Sequence, residues 1–243
     1  MNTAVFWYKN FLNLIYPMRC VACGEDLDPW SAHYLCTEHC RRIHLIEESA
    51  CSICGRKLYT LPEGDLICAN CRKTKRHFDH GYTVAIYEEV IQTLIHDYKY
   101  RGREFLKYPL RRMLCEGIRH HVNYSDIDAI VPVPLHWRRY MRRGFNQALE
   151  LVRFTSRKLN IPILKRNLRR IRYTIPQVYL APKERPANIK GAFRVMNPDQ
   201  VRGKRLMLVD DVLTTGSTMN ECAQVLKEAG AAEITVVALA QSG

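Results

Sequence analysis

The sequence contains little that would anchor it in a membrane. Outside the first twenty residues, no stretch approaches the roughly 20 consecutive apolar residues that cross a bilayer. The first twenty are apolar but lack a basic leading segment and a small-residue cleavage site, so they do not predict a signal peptide. We expect them to form a short amphipathic helix on the following module, with a membrane-surface anchor as the alternative. These absences predict a cytoplasmic protein with no membrane span.

Acidic residues are scarce relative to basic ones, and the imbalance is uneven along the chain. The 24 Asp and Glu residues stand against 37 Lys and Arg residues, which gives a formal charge of +13. Residues 1–80 are nearly neutral, so almost all of the excess lies in residues 81–243. A basic surface on that second part favours phosphate-rich small molecules or a nucleic acid backbone as partners.

Cysteine is nearly absent from the last two thirds of the chain, which hold only Cys115 and Cys222. The other eight cysteines form four closely spaced pairs: Cys20 and Cys23, Cys36 and Cys40, Cys51 and Cys54, Cys68 and Cys71. Each pair can present two sulfurs to one ion, and a second pair further along completes a tetrahedral zinc shell. The pattern predicts a zinc-binding module over residues 1–77 that holds two structural Zn²⁺ ions.

The pairing of these cysteines has several solutions. Sequential pairing joins the first four around one ion and the last four around the other, while the spacing leaves an interleaved cross-brace open. A histidine could replace a cysteine in the first site, the candidates being His33, His39 and His44. Disulfides or buried free thiols are the alternatives for the whole set, although a reducing cytoplasm favours metal thiolates. The basic run at residues 72–76 is interpreted as a linker, with a phosphate anchor as the alternative.

From residue 78 onward, strands alternate with amphipathic helices. The periodicity predicts strands over residues 84–87, 129–134, 205–209 and 233–239, and helices over residues 88–99, 146–158 and 217–228. An apolar segment over residues 163–168 and a basic loop after Pro134 lie between them. This order predicts an α/β domain over residues 78–243, with a parallel sheet flanked by helices and ligand sites at the carboxyl ends of its strands.

Two acidic residues stand at the end of the buried strand at 205–209. After Asp210 and Asp211, a hydroxyl-rich turn at residues 214–218 opens the next helix. Backbone amides, hydroxyls and the positive end of the helix dipole would meet there and bind a monophosphate. The carboxylates could then accept hydrogen bonds from vicinal ribose hydroxyls. The alternative is a capped strand, turn and helix without a ligand, which explains the threonines but not the paired acids.

Residues 208–212 and 214–218 resemble the phosphoribosyl pyrophosphate (PRPP) motif of type I phosphoribosyltransferases. The resemblance implies that Asp210 and Asp211 hold the ribose 2′- and 3′-hydroxyls at the end of the strand that Val209 closes. It implies that the 5′-phosphate binds to the turn formed by Thr214, Thr215, Gly216, Ser217 and Thr218. It also implies Mg²⁺ bound with PRPP. Cations near the diphosphate are expected to be Lys99, Arg101 and Arg143.

Further motifs are similar to the ComF family over nearly the whole chain. They are the cysteine pairs, residues 99–102, 131–134 and 143–148, and residues 185–188 with 191–193. This resemblance implies a role in natural transformation, in which single-stranded DNA enters the cytoplasm, alongside a ComFA-type helicase. Lys and Arg interleaved with aromatics between residues 165 and 194 are typical either of a single-stranded nucleic acid surface or of a hood that closes over PRPP.

Three functions fit these observations. The first is a phosphoribosyltransferase (a pentosyltransferase) in which a nitrogen nucleophile of unknown identity attacks C1 of Mg-PRPP and pyrophosphate leaves. The alternative is a non-catalytic scaffold that binds single-stranded DNA, in which the phosphoribosyltransferase fold is structural or regulatory. The third is a regulator in which PRPP controls DNA binding.

Overall fold

The computed structural model describes Trp7, Phe11 and residues 17–28, 33–59, 65–175, 179–181 and 183–242. Of the first twenty residues, predicted to form a helix, only Trp7, Phe11 and residues 17–20 are described; residues 17–20 are not helical, and the rest lies outside the described residues. Within the described ranges, no helix is long and apolar enough to cross a membrane.

The cysteine-rich part consists of two small units with the same local geometry. In each, the first cysteine of a pair accepts a hydrogen bond from the backbone amide of a glycine four residues later, Gly24 or Gly55. Both glycines have positive φ, of 79° and 68°, which permits the tight turn around the sulfurs. Two five-residue helices complete the units, α1 (Thr37–Arg41) and α2 (Ala69–Lys73).

The main sheet has four parallel strands. They are β1 (His80–Ile86), β2 (Ala129–Pro132), β5 (Arg205–Leu213) and β6 (Glu233–Gln241), in the spatial order β1-β6-β5-β2. A separate antiparallel pair consists of β3 (Leu168–Arg170) and β4 (Phe193–Val195). The prediction of a parallel α/β domain behind a cysteine-rich module is thereby confirmed.

Helices connect and cover these strands. They are α3 (Glu89–Tyr100), α4 (Lys107–His121), α5 (Trp137–Arg143), α6 (Gln147–Leu159), α7 (Arg185–Ile189) and α8 (Ser217–Glu228). Short 3₁₀ turns occupy Glu104–Leu106, Tyr124–Asp126 and Pro198–Gln200. The sequence did not predict α4, and the predicted basic loop after Pro134 contains α5.

Alternate residues of β5 belong to two cores on opposite faces of the sheet. Met207 and Val209 pack with α3, α4 and α6, and the first cysteine unit contributes Cys20 and Cys36 to the same cluster. Leu206 and Leu208 pack with α8 and with the four cysteines of the second unit. The period-two alternation of a strand therefore places one cysteine unit against each face.

Candidate phosphoribosyl site and metal clusters

The two predicted carboxylates lie within β5, which continues beyond the predicted end at residue 209. Asp210 is paired in register with Ala238 of β6, and the Asp210 Oδ1 accepts a hydrogen bond of 2.9 Å from the amide of Asp211. Val209 is fully buried, and its carbonyl accepts a hydrogen bond from the amide of Val133 just beyond β2. The two carboxylates therefore lie in a hydrogen-bonded strand, beside the segment that follows β2.

A lysine from α3 completes this carboxylate group. The Lys99 Nζ donates to Asp211 Oδ1 at 2.8 Å. Both side chains are largely buried, with exposures of 15% and 14%. Burial lowers the pKa of Lys99, but the charge and hydrogen bond of Asp211 outweigh it, so its pKa is raised overall. Burial, and then the charge of Asp211, raise the pKa of Asp210 to about 7. Asp210, with its raised pKa, therefore lies beside the ion pair of Lys99 and Asp211.

The predicted phosphate turn follows β5 directly. Gly216 has φ of 78° and precedes the first residue of α8. The Thr215 Oγ1 lies 2.7 Å from the Ser217 Oγ and accepts a hydrogen bond from the Ser217 amide at 3.4 Å. Thr214 and Thr218 are half-buried on either side. Hydroxyls and the start of a twelve-residue helix therefore meet at the carboxyl end of β5, as a phosphate site requires.

The three predicted diphosphate cations each contact a different residue. Lys99 lies at the carboxylates, whereas Arg101 forms an ion pair with the buried Asp97 at 3.3 Å. Arg143 donates to the Tyr100 hydroxyl at 2.7 Å, and its guanidinium lies 4.8 Å from the centre of that ring. Arg143 therefore contacts the residue that follows Lys99, while Arg101 pairs with Asp97.

A basic and aromatic surface adjoins the site on its β2 side. Arg138 on α5 lies 5.4 Å from the ring of Trp137 and 5.5 Å from that of Tyr173, and Arg139 donates to the carbonyl of Thr174. Burial, followed by the charges of neighbouring arginines, lowers the pKa of His136, the residue that caps α5. These contacts join α5 to the segment after β3. We call the exposed residues Trp137, Arg138, Tyr140, Arg142 and Tyr173 the α5 surface.

The last four cysteines of the cysteine-rich part form one cluster. The sulfurs of Cys51, Cys54, Cys68 and Cys71 all lie within 4.8 Å of one another, and Cys54 and Cys68 are 3.8 Å apart. A tetrahedral ion with metal–sulfur bonds of about 2.3 Å requires sulfur–sulfur distances of about 3.8 Å. Hydrogen bonds among these thiols lower the pKa of Cys51 and raise that of Cys54. Only a cation lets all four ionise, so this second cysteine cluster fits zinc.

The first cluster contains a histidine. Its members are Cys20, Cys23, Cys36 and His39, and the His39 Nδ1 lies 3.1 Å from the Cys36 Sγ. Cys40, which sequential pairing assigns to this site, is not in the group, because its sulfur contacts the carbonyl of Leu35 instead. Both residues lie on α1, and the longer imidazole of His39 reaches the other sulfurs. His44, another candidate, contacts Glu88.

Three residues that the sequence did not indicate donate hydrogen bonds to backbone carbonyls of the turn at residues 214–218. Arg56 donates to the carbonyl of Thr214, and both Asn70 and Arg76 donate to the carbonyl of Thr215. They come from the cysteine-rich part, more than 130 positions away along the chain. The basic run at residues 72–76 was a partial signal for Arg76, whereas Arg56 and Asn70 had none.

Comparison with known proteins agrees with this arrangement. Residues 11–73 match the model of the double zinc ribbon domain, and residues 147–243 match that of the phosphoribosyl transferase domain. The protein is thus a double zinc ribbon joined to a phosphoribosyltransferase-like domain.

Relatives over nearly the whole chain identify the family. The Competence protein F of Haemophilus influenzae is 33% identical over 219 residues, which is 84% of this chain and 96% of that protein. The DNA utilization protein YhgH of Escherichia coli K12 is 34% identical over 94% of this chain and 99% of that protein. The Competence protein ComFC of Streptococcus pneumoniae is 24% identical over 91% of this chain and 99% of that protein. The chain belongs to the ComF family.

Proposed function

We propose that this protein binds Mg-PRPP or a related phosphoribosyl ligand at β5 and the following turn, and acts in DNA uptake. The observation that carries the proposal is the group formed by Asp210, Asp211 and Lys99 beside the start of α8. A ribose 5-phosphate fits this group chemically, because its hydroxyls are donors for carboxylates and its phosphate is an acceptor for amides and hydroxyls.

Each group of the site has a distinct task in this proposal. Asp210 and Asp211 accept hydrogen bonds from the 2′- and 3′-hydroxyls, and Lys99 donates a hydrogen bond that holds Asp211 in place. Residues 214–218 hold the 5′-phosphate. C1 of the ribose and the diphosphate attached to it then point toward β2 and α5, where Arg143 supplies positive charge. Mg²⁺ would arrive with the diphosphate and neutralise its charge as pyrophosphate departs. Turnover additionally needs a nitrogen nucleophile at C1.

The setting in DNA uptake rests on the relatives and on the α5 surface. Two of the relatives are named for competence and one for DNA utilization. The α5 surface alternates cations with exposed aromatic rings, and Trp137 is 63% exposed. Base stacking on such rings combined with phosphate neutralisation binds single strands without sequence preference. We propose single-stranded DNA as the second ligand, and a ComFA-type helicase as a partner in the same process.

We also propose one structural zinc ion in each cluster. The second cysteine cluster supplies four sulfurs and the first supplies three sulfurs and a histidine nitrogen, so both shells are closed. An ion in a closed shell has no position for substrate, and its contribution is to hold the ribbons together.

Calorimetric titration of Mg-PRPP into the wild-type protein and into the double variant Asp210→Asn, Asp211→Asn tests the phosphoribosyl site. We expect binding by the wild type and a loss of affinity of at least a hundredfold in the variant, because the hydroxyls lose both charged acceptors, each worth about 1.5–3 kcal/mol. Binding would justify a screen of nitrogen nucleophiles for pyrophosphate release. Absence of heat from folded wild type, without competition by ribose 5-phosphate, would refute the proposal.

Fluorescence anisotropy with labelled single strands tests the DNA ligand. We expect Trp137→Ala to weaken binding about tenfold, because one stacked base contributes about 1–3 kcal/mol, and affinity to fall steeply with salt. Tyr108→Ala is the matched control, since Tyr108 is another exposed ring that lies against an arginine, Arg111, but belongs to α4. Equal affinities for the two variants would exclude the α5 surface as the DNA site.

A further inference from the structure

The second zinc ribbon contacts the phosphate turn through backbone carbonyls. Asn70 Nδ2 donates to the Thr215 carbonyl at 3.0 Å, and Arg76 donates to the same oxygen at 3.2 Å. Arg56 donates to the Thr214 carbonyl and, at 3.2 Å, to the carbonyl of Ser242. Two successive peptide units of the turn are therefore bound by side chains of the ribbon.

Holding these carbonyls fixes the direction of the amides. In a planar trans peptide, the C=O and the N–H of the following residue point in opposite directions. With the Thr214 and Thr215 carbonyls directed to the ribbon, the amides of Thr215 and Gly216 are directed away from it. Those are amides of the turn that would receive the 5′-phosphate.

The same side chains are tied to the metal cluster. Asn70 lies between two of its ligands, Cys68 and Cys71, on α2. Arg76 donates through Nε to the Cys71 sulfur at 3.4 Å, while its other nitrogen reaches the Thr215 carbonyl. A single guanidinium thus bridges a metal ligand and the phosphate turn. Its Nη1 would also lie 3.2 Å from a Cβ at position 216, where the chain has glycine.

We propose that Asn70 and Arg76 are positioning residues of the phosphate site, and that the second cysteine cluster, by ordering them, sets the affinity for the 5′-phosphate. The zinc ribbon is then a part of the ligand site. This inference rests on the proposed function, because it assigns a role within the same site.

The affinities for two probes distinguish a loss of positioning of the turn at residues 214–218 from a general loss of protein stability. Ribose 5-phosphate uses the phosphate turn, whereas inorganic pyrophosphate with Mg²⁺ uses the cations near α5. We expect Asn70→Asp, which replaces the donor by a carboxylate of the same shape, to weaken ribose 5-phosphate binding at least tenfold. Arg76→Gln should act in the same direction. Pyrophosphate affinity and zinc content should stay at wild-type values in both variants.

Asn220→Ala is the matched control at the same interface. The side chain of Asn220 on α8 accepts from the His77 amide at 2.8 Å and donates to the Lys75 carbonyl. Only its backbone amide contacts the turn, at the Gly216 carbonyl, and alanine keeps that hydrogen bond. We expect it to leave ribose 5-phosphate affinity unchanged. An equal loss in Asn220→Ala, or affinities within twofold of wild type in Asn70→Asp and Arg76→Gln, would overturn the inference.

The metal dependence is tested with one ligand of each cluster. Cys68→Ser and Cys36→Ser should each remove one zinc ion, but we expect only Cys68→Ser to lower ribose 5-phosphate affinity. Should Cys68→Ser fail to fold, the Asn70 and Arg76 variants decide the question on their own. Wild-type protein that binds pyrophosphate but neither ribose 5-phosphate nor Mg-PRPP would overturn both this inference and the proposed function.

Discussion

Asp210 is a carboxylic acid in a position where ionisation is costly. Burial, and then the negative charge of Asp211, raise its pKa to about 7, although Lys99 and the amide of Asp211 favour the ionised form. In the unfolded chain its pKa returns to an ordinary value of about 3.9. The folded state therefore binds a proton that the unfolded state releases, and the contribution of Asp210 to stability falls as pH rises between these values.

Asp210→Asn should accordingly stabilise the protein in a pH-dependent way. We expect the variant to melt above the wild type, by a margin that widens by roughly 5–10 °C between pH 5 and pH 8 and becomes constant above about pH 8. Thermal unfolding followed by circular dichroism at several pH values measures this margin. The other titrating groups are common to both proteins, so a margin that stays the same at pH 5 and pH 8 would contradict the pKa assignment.

At the scale of single residues, the sequence predicted contiguous groups but not the directions of individual side chains. The motif at residues 208–218 predicted a strand end with two acids, a turn and a helix in that order, because these elements are contiguous in the chain. Their binding of a phosphoribosyl group stays a prediction. Lys99 and Arg101 looked equivalent, but Lys99 lies in the last turn of α3 and reaches Asp211, whereas Arg101 follows the end of the helix and pairs with Asp97. Cys40 and His39 are likewise distinguished only by their side-chain directions on α1.

At the scale of elements, glycines mark where the second ribbon meets the sheet. A Cβ at Gly55 would lie 2.4 Å from the Tyr82 Cα of β1, and a Cβ at Gly81 would lie 2.6 Å from the Cys54 Cα. Backbone approaches backbone here without room for any side chain. The contact fixes the ribbon against β1 and so fixes the side chains that hold the phosphate turn.

Gly55→Ala and Gly24→Ala form a matched pair of substitutions. Both glycines follow the second cysteine of a pair and have positive φ, so alanine costs each about 1–2 kcal/mol in backbone conformation. Only Gly55 also has backbone within contact distance, whereas nothing lies within 4 Å of a Cβ at Gly24. We expect Gly55→Ala to lower the melting temperature by several degrees more than Gly24→Ala. Equal melting temperatures would show that the ribbon does not pack on β1.

The elements that the sequence predicted well are those with an apolar stripe. Helix α8 spans Ser217–Glu228 as predicted, because its buried positions recur with helical period. Helix α5 was read as a loop because four of its seven residues are arginines and none is buried, which leaves no apolar period to detect. The zinc ribbon contacts with residues 214–216 could not be predicted, since they depend on how distant segments pack.

The charge of the whole molecule depends on its metal shells. A zinc ion with four thiolates adds a net −2, and one with three thiolates and a neutral histidine adds −1. Two filled clusters therefore reduce the formal charge from +13 to about +10, and the reduction falls entirely on the ribbons. With both clusters filled, the contrast between acidic ribbons and a basic second domain would be sharper, which would favour binding of polyanions to the second domain.

The two proposed ligands meet at one end of the sheet. The charge of Arg170, at the end of β3, acts on Asp210, and Arg143, the last residue of α5, lies against Tyr100 next to Lys99. A diphosphate near Arg143 would neutralise positive charge beside the α5 surface, where we propose that single-stranded DNA binds. The two ligands are therefore expected to weaken each other.

Coupling between the ligands can be measured directly. We expect saturating Mg-PRPP to raise the Kd for a labelled single strand about fivefold, and the DNA to raise the Kd for PRPP by the same factor, because coupling free energies are reciprocal. The Asp210→Asn, Asp211→Asn variant should show no effect of PRPP on DNA binding, which controls for ionic strength. Identical DNA affinities with and without PRPP in the wild type would mean that the α5 surface and the phosphoribosyl site act independently, and that PRPP does not regulate DNA binding in this protein.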